Sequence, residues 1–318
     1  MAKLRASPDD LLALVARASD HLSIPQEFLE KDYWVTELLR SVAQPVDDAV
    51  VIFKGGTSLS KAFGLIERFS EDVDILVSVQ DETFGKGRVH NILRLICERA
   101  GRDLDIGADD QIDRGSEKGI HRNVRYSYPA RLAPQAATEG VLLEMGRRGG
   151  DLPRERRQMQ SIIAAYAIEN KVAREDEYDE FASFQIDVLA PERTLVEKLA
   201  LLHRVSLTNG GENLARNGRH LYDVYKLLTA DLVLTKLRSD PDTVARLAAD
   251  ADEQSVKWDL PVETRPEAGY GESPAFDAAG APASSLRQGL EAAKTLIYGD
   301  VPSFEDCIQV IRASADLL

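Results

Sequence analysis

Cysteine is scarce in this 318-residue sequence, which contains only Cys97 and Cys307. Two isolated thiols supply neither a disulfide framework nor the paired spacing of a zinc site, so we expect a protein of the reducing cytoplasm. Long hydrophobic runs are missing too, because no apolar stretch approaches the ~20 residues of a membrane helix. The amino-terminal residues lead directly into an acidic segment, which argues against a secretory signal. We therefore expect no membrane partner.

Basic residues are in the minority, since 39 Lys and Arg stand against 53 Asp and Glu, a net charge of -14. Phosphate binding depends on clustered Lys and Arg, so this balance excludes a protein coated in nucleic acid but leaves room for a local basic groove. The composition is otherwise 44% hydrophobic and 29% charged, as in a soluble globular chain.

Hydrophobic periodicity predicts an α+β fold, a mixed β-sheet core flanked by helices and followed by a mostly helical part. The predicted domains are residues 1–190, with leading helices at 8–43, and residues 191–318. Short apolar runs predict strands at 49–53, 73–79, 124–128, 141–145 and 184–189. Period-3.6 patterns predict later helices at 59–66, 89–99, 193–205, 218–228, 232–238, 241–249, 286–297 and 304–313. The stretch 261–284, rich in Pro, Gly and Ala, is predicted to be a long loop.

The segment "FKGGTSLSKAFGLIERFSEDVDILV" holds the first candidate site. Gly55 and Gly56 allow a sharp turn and a close approach to a ligand, and Thr57 and Ser58 add hydroxyls before a helix start. This pattern suits a phosphate cradle, although the ending of a P-loop is absent. The alternative is a plain tight turn between strand and helix.

Two carboxylates follow, Asp72 and Asp74, at the start of the next predicted strand. A strand has a period of two, so both side chains face the same way. They repel each other unless a cation lies between them, and Mg²⁺ prefers such hard oxygen ligands together with substrate phosphates. A lone D-x-D is often just a solvated strand edge, but beside a phosphate cradle it predicts phosphoryl-transfer chemistry.

With these residues in view, "GGTSLSKAFGLIERFSEDVDI" resembles the core motif of the nucleotidyltransferase superfamily, and more narrowly that of the AbiEii/MenT-type toxins of bacterial type IV toxin–antitoxin systems. Three further stretches resemble motifs of the same family: "EKDYWVTELL" at 30–39, "PERTLVEKLALLHR" at 191–204 and "RHLYDVYKLL" at 219–228. The resemblance covers about residues 28 to 230. It implies a nucleotidyltransferase-like core, with the helical part completing the active site.

The resemblance also implies roles for the residues of the core motif. Gly55, Gly56, Thr57 and Ser58 are expected to hold a nucleoside triphosphate, and Asp72 and Asp74 to hold Mg²⁺. The superfamily adds a third carboxylate, for which the sequence offers Glu144 in "VLLEMG" and Asp187 in "FQIDVLA". We favour Glu144, as a metal ligand and as a general base for the attacking hydroxyl. The alternative for either acid is that it only faces solvent on an edge strand and has no role in the site.

The helical motifs carry the remaining candidates. The resemblance makes Lys198 a phosphate ligand, and the alternative is a surface lysine whose stem covers apolar side chains. Arg204, about two turns further along the predicted helix, is a candidate supporting cation. Asp223 lies among apolar neighbours, and the resemblance makes it a catalytic-site residue that pairs with Lys198 or Arg219 or orients the sugar. Family members often have an acid where this chain has His220, which leaves open which position carries that role.

The expected acceptor is the 3′ end of tRNA, because that is the substrate class of the family. Seven arginines are candidates for contacts to the RNA backbone: Arg122, Arg125, Arg147, Arg148, Arg154, Arg156 and Arg157. With a net charge of -14 we expect weak, salt-sensitive binding. A cognate antitoxin is the other implied partner, and phosphorylation of Ser70 is expected to inactivate the enzyme by placing about -2 charge beside the carboxylates. Ser70 is otherwise a plain turn serine.

The predicted function is thus that of a Mg²⁺-dependent toxin that transfers nucleotides from a triphosphate to the tRNA acceptor end and blocks aminoacylation. One alternative keeps the chemistry but uses a small molecule or a protein hydroxyl as the acceptor. Another is a nucleotide-binding module without catalysis. The sequence does not select the nucleotide, the tRNA species, the oligomeric state or the mechanism of the antitoxin.

Overall fold

The computed structural model of the chain describes residues 2–69, 72–79, 81, 83–132 and 140–318. The predicted regulatory residue Ser70 lies outside this described part. Among the helices that are described, none combines the length and the apolarity needed to cross a bilayer.

Two compact units make up the chain. The first consists of Met1–Ala62, Ser70–Arg147 and Arg154–Val188, and the second of Phe63–Phe69, Arg148–Pro153 and Leu189–Leu318. The longest segment of the second unit begins at Leu189, and the expected domain boundary at residue 190 stays a prediction. The second unit also includes two short segments from earlier in the chain, 63–69 and 148–153, which the sequence analysis placed in the first domain.

A seven-stranded mixed sheet is the centre of the first unit, counted within the described residues. Its strands are β1 (Ala49–Lys54), β2 (Asp72–Val79), β3 (Gln111–Glu117), β4 (His121–Tyr126), β5 (Val141–Gly146), β6 (Arg154–Met159) and β7 (Phe184–Leu189). The strand order is β3-β4-β5-β2-β1-β7-β6. Strand β2 pairs antiparallel with β1 and parallel with β5, so it occupies the middle of the sheet.

The five strands predicted from apolar runs are present, and the structure adds β3 and β6. These two strands form the edges of the sheet and have the polar sequences "QIDRGSE" and "RERRQM". An edge strand exposes much of its length to water, so it lacks the apolar alternation on which the sequence prediction depended.

Five α-helices belong to the described part of the first unit: α1 (Pro8–Leu22), α2 (Gln26–Val42), α3 (Gly55–Lys61), α4 (Lys86–Asp103) and α5 (Ile162–Glu169). The predicted helix at 59–66 is wrong at both ends, because α3 begins at Gly55 and ends at Lys61. Lys54 immediately before it has extended backbone angles, so the helix begins within the glycine turn itself. Gly64, at φ +63°, has a left-handed conformation that a helix cannot continue through.

The second unit is mainly helical. Its α-helices within the described residues are α6 (Pro191–Leu207), α7 (Gly218–Leu228), α8 (Asp231–Ser239), α9 (Thr243–Lys257), α10 (Ala281–Ala293) and α11 (Phe304–Ala313). Helices α6 and α7 supply the core, where Leu195, Leu199, Leu202 and Leu221 are fully buried. The predicted loop at 261–284 is shorter than expected, since α10 starts at Ala281 and two 3₁₀ turns precede it.

Candidate active site

The two aspartates of the D-x-D motif lie on one face of β2. Asp72 and Asp74 are partly exposed, whereas Val73 and Ile75 between and after them are buried on the opposite face. This alternation follows from the period of two in a strand. The chain therefore presents both carboxylates on the same side at the centre of the sheet.

Gly55 makes close contact with the second aspartate. Its backbone has φ +77°, and a Cβ built on it lies 2.1 Å from Oδ2 of Asp74. A side chain at this position requires the Asp74 carboxylate to move, since non-bonded atoms cannot approach so closely. The glycine therefore allows the Asp74 carboxylate to pack against the backbone of the turn that begins α3.

The hydroxyls of the turn are directed to the backbone. Thr57 is buried, and its Oγ1 donates a hydrogen bond of 2.5 Å to the carbonyl oxygen of Asp72. Ser58 is fully buried, and its Oγ donates to the carbonyl oxygen of Gly55 at 2.9 Å. These bonds tie the turn to β2 and fix its first residues. The predicted phosphate contacts of Gly56, Thr57 and Ser58 stay a prediction.

The two candidates for the third carboxylate have different surroundings. Glu144 of β5 is the register partner of Asp74, so both residues lie on the same face of neighbouring strands. Asp187 is on β7, beyond β1, where its register partner is Ile52. Its carboxylate lies 3.3 Å from Nη1 of Arg156 and 3.6 Å from Nε of Arg154. The strand order thus favours Glu144 as the acid beside the D-x-D motif.

The acidic, histidine and cysteine side chains of the described residues are the possible ligands of a metal ion. No group of three or more His, Cys, Asp or Glu in this part of the chain is arranged to hold a metal ion by itself. A Mg²⁺ site built from protein and substrate does not require such a group, since one or two carboxylates commonly complete it together with substrate phosphates.

A buried charge cluster lies in the second unit, where two cations share one carboxylate. Asp223 of α7 is fully buried, and its Oδ2 lies 2.7 Å from Nζ of Lys198 on α6. Arg68 donates to both oxygens of the same carboxylate, through Nε to Oδ1 at 2.6 Å and through Nη2 to Oδ2 at 2.7 Å. Burial alone opposes the ionisation of Asp223, but the charges of Arg68 and Lys198 outweigh it and lower the pKa of this carboxyl.

His220 completes this cluster. Its Nδ1 lies 3.1 Å from Nζ of Lys198, so the imidazole accepts a hydrogen bond from the ammonium group. Burial, followed by the positive charge of Lys198, lowers the pKa of His220 to about 3. The ring is therefore neutral near pH 7, which is the state that leaves Nδ1 able to accept.

The family of the chain follows from a comparison of its sequence with known families. The model of the nucleotidyl transferase AbiEii toxin of type IV toxin–antitoxin systems matches residues 37–310. The chain belongs to the AbiEii nucleotidyltransferase toxin family. Among curated protein sequences, none matches it.

One solved structure shows the same fold as this AbiEii-family toxin. The nucleotidyltransferase toxin MenT4 from Mycobacterium tuberculosis H37Rv is similar over 96% of this chain and 88% of that one, with 22% identity and a TM-score of 0.59. An antigenic nucleotidyltransferase-like protein from Paracoccidioides brasiliensis covers 70% of this chain and 94% of its own length, with 14% identity. Its TM-score of 0.34 is too low to establish a shared fold.

In this AbiEii-family toxin the leading motif "EKDYW" has a structural role in the first unit. Glu30 accepts the backbone N–H groups of Arg131 and Leu132, at 2.8 and 3.1 Å. Asp32 accepts the backbone N–H of Ile162 at 2.8 Å and forms an ion pair with Lys61. These charged side chains of α2 therefore anchor the chain around them.

The seven candidate arginines do not form a single patch. Arg122 and Arg125 lie on β4, while Arg154, Arg156 and Arg157 lie on β6 at the far edge of the sheet, with four strands between them. Arg125 is the register partner of Leu142, and this places it on the same face of the sheet as Glu144. Arg147 and Arg148 follow the end of β5 directly.

Sequence reasoning missed Arg68 and Lys54. Lys54 ends β1 as the register partner of Asp74, so its position beside the D-x-D motif follows from strand pairing rather than from sequence spacing. Arg68 lies between the buried residues Ile66 and Phe69 and is itself 2% exposed. Asp223 was selected because its neighbours in sequence are apolar, whereas Arg68 directly follows Glu67, so that signal did not single it out. Arg204, in the last turn of α6, lies about 120° around the helix from Lys198.

Proposed function

We propose that this chain transfers a nucleotide from a nucleoside triphosphate to the 3′ acceptor end of tRNA. The observation that supports it best is the packing of Asp74 against the glycine turn at Gly55, on the face that also carries Asp72. This arrangement brings a carboxylate pair next to a turn that can hold phosphate. Together with membership of the AbiEii family, it supports nucleotide transfer.

The residues present fit Mg²⁺. Asp72 and Asp74 supply hard oxygen ligands from one strand, and Glu144 is available from the neighbouring strand. When bound, Mg²⁺ supplies charge neutralisation for the transferred phosphoryl group. Gly55 leaves room for this ligand pair, since the Asp74 carboxylate occupies space that a side chain would otherwise fill.

The chain's own residues then act as follows. The turn at Gly55 and Gly56 holds the triphosphate through its backbone N–H groups. Glu144 accepts the proton of the attacking 3′ hydroxyl. The new bond joins the 3′ oxygen to the α-phosphorus as the bond to the β-phosphate oxygen breaks, and pyrophosphate leaves. Lys198 neutralises phosphate charge, and Arg204 supports it.

The acceptor is assigned from the family resemblance, and an arginine of the sheet supports it. Arg125 lies on the same sheet face as Glu144 and is a candidate for contact with the RNA backbone. With a net charge of -14 we expect weak tRNA binding that depends on local contacts from arginine and falls as salt is added. A tRNA extended at its 3′ end is not a substrate for aminoacylation, and this accounts for toxicity. The type IV family also implies a cognate antitoxin.

Incubation of the protein with each of the four labelled triphosphates, Mg²⁺ and bulk tRNA tests the proposal. We expect label in RNA, with release of pyrophosphate, and no label in RNA whose 3′ diol has been oxidised with periodate. Asp72→Asn and Asp74→Asn should abolish incorporation. If the label appears in total protein or in a small hydroxyl compound instead of tRNA, the enzyme transfers nucleotides to that acceptor and the assignment of tRNA is wrong. Nucleotide binding without pyrophosphate release would indicate a binding module.

A further inference from the structure

The ammonium group of Lys198 is held from two directions within the second unit. It lies 2.7 Å from Oδ2 of Asp223 and 3.1 Å from Nδ1 of His220. Asp223 is fully buried, so its carboxylate is placed to act on neighbouring side chains rather than on a bound substrate. The position of Lys198 therefore depends on what holds Asp223 and on the tautomer of His220.

Arg68 fixes the plane of the Asp223 carboxylate. Its guanidinium donates to both oxygens, at 2.6 and 2.7 Å, and its Nη1 donates to the carbonyl oxygen of Phe69 at 3.0 Å. Such a two-point contact restrains rotation of the carboxylate, whereas a single contact does not. Oδ2 then accepts from Nη2 of Arg68 and lies against the ammonium group of Lys198, so the orientation that the arginine gives the carboxylate helps to place the lysine.

The segment that carries Arg68 is itself anchored to the helical unit. The backbone N–H of Glu67 donates to the Tyr222 hydroxyl at 3.1 Å, and the Glu67 carboxylate lies 2.9 Å from Nζ of Lys226. The backbone N–H of Phe69 donates to the carbonyl oxygen of Leu296 at 2.7 Å. Arg68 thus approaches Asp223 from a fixed backbone, as a positioning group requires.

We propose that Arg68 and His220 are positioning residues for nucleotide transfer, because they hold the ammonium group of Lys198 in place. Arg68 acts through Asp223, and His220 acts by a direct hydrogen bond. The inference rests on the proposed function because it takes Lys198 to be a phosphate ligand. A lysine stem has four rotatable bonds, so an ammonium group that is not held in place loses much of its effect on a developing charge. His220 keeps its proton on Nε2 in this arrangement, so that Nδ1 can accept.

Substitutions at Arg68 test the first half of the proposal. Arg68→Gln removes the charge and the two-point contact but leaves Asp223 paired with Lys198, and Arg68→Lys keeps the charge and loses the two-point contact. We expect both to lower kcat about 10²-fold, with thermal midpoints that show a folded protein. Should Arg68→Gln fail to fold, Arg68→Lys decides alone. The matched control is Arg246→Gln, which breaks an exposed two-point pair with Asp240 in the same unit.

Substitutions at His220 test the second half. Asn has an amide oxygen that can accept where Nδ1 does, so His220→Asn should retain much more activity than His220→Leu. In a Lys198→Ala background, which keeps the Asp223–Arg68 pair, His220→Leu should have no further effect on kcat, because it acts through the lysine. A purely structural histidine would give additive losses and no advantage for Asn, and either result would overturn the proposal.

A second readout separates this inference from the proposed function. The affinity for each triphosphate is measured by titration without an acceptor, and the same non-additivity between Lys198→Ala and His220→Leu is expected there. If the wild-type protein binds a triphosphate and the two substitutions are non-additive in this affinity, but no tRNA is labelled, the acceptor assignment fails and the positioning roles stand. If tRNA is labelled and Arg68→Lys and His220→Leu both match the wild-type kcat, the positioning roles fail and the proposed function stands.

Discussion

The Asp74 carboxylate occupies the space in which residue 55 would carry its Cβ, if that residue were not glycine. The distance from the built Cβ to Oδ2 is 2.1 Å, and Gly55 has φ +77°. Two independent requirements, a left-handed backbone and the absence of a side chain, therefore coincide at one residue. The glycine of the motif and its second aspartate are a single structural feature, even though 18 residues separate them in the sequence.

Replacement of Gly55 by alanine tests this feature. Gly55→Ala should lower the rate of nucleotide transfer about 10²-fold or more, since the new methyl group displaces the Asp74 carboxylate. The matched control is Gly64→Ala, because Gly64 also has a positive φ, +63°, but a Cβ there meets nothing within 4 Å. Both variants incur a backbone cost of about 1–2 kcal/mol. Equal losses of activity in the two variants would show that backbone strain alone is responsible.

A second test decides whether Glu144 or Asp187 is the third carboxylate of the site. Glu144→Gln should lower the transfer rate at least about 10²-fold, as expected for loss of a general base, and should weaken Mn²⁺ binding measured by electron paramagnetic resonance. Asp187→Asn should leave both near wild type, because Asp187 is paired with Arg154 and Arg156 two strands away from β2. If Asp187→Asn lowers the rate and Mn²⁺ binding while Glu144→Gln leaves both near wild type, Asp187 is the third carboxylate of the site.

Sequence spacing predicted the parts of the site that depend on local geometry. The shared face of Asp72 and Asp74 follows from the period of a strand, and the glycine turn follows from residue type. The adjacency of Glu144 to Asp74 required the strand order, which no local pattern contains. The choice between Glu144 and Asp187 therefore stayed open in the sequence.

Long-range pairing explains most of what was missed. Arg68 and Asp223 are 155 residues apart in the chain, so their contact is invisible to any periodicity. The edge strands β3 and β6 escaped detection because exposure to water removes the apolar pattern of a strand. The predicted phosphate-binding roles of Thr57 and Ser58 came from their hydroxyl chemistry and stay predictions. The bonds that both hydroxyls donate to backbone carbonyl groups were not foreseen, because they depend on the folded turn.

Thr57 offers a third test, which separates a structural hydroxyl from a phosphate ligand. Thr57→Val keeps the shape and leaves the Asp72 carbonyl without this donor, so we expect the first unit to lose about 1–3 kcal/mol of unfolding free energy. Thr57→Ser should restore most of it. Urea unfolding is followed by the fluorescence of Trp34 in a Trp258→Phe background, which reports on the first unit. Unchanged stability with a raised KM for the triphosphate would instead favour direct phosphate contact.

The fourth test uses the pH dependence of the second unit. The pKa of His220 is lowered from 6.5 to about 3, first by burial and then by the charge of Lys198. Between these two values the unfolded chain binds a proton that the folded chain does not, so the free energy of unfolding rises with pH in this window and falls as pH decreases. From pH 7 to pH 5 this one group should remove about 2 kcal/mol of stability.

His220→Asn removes the titrating group, and the variant should therefore lose less stability than the wild type between pH 7 and pH 5. Urea unfolding in a Trp34→Phe background, followed by the fluorescence of Trp258, reports on the second unit. The expected signature is a difference in unfolding free energy between wild type and variant that changes by about 2 kcal/mol across this range, in favour of the variant at low pH. A difference that stays constant from pH 7 to pH 5 would mean that His220 binds its proton equally well in the folded and unfolded chain. Nδ1 would then not remain a reliable acceptor for Lys198 in mildly acidic solution.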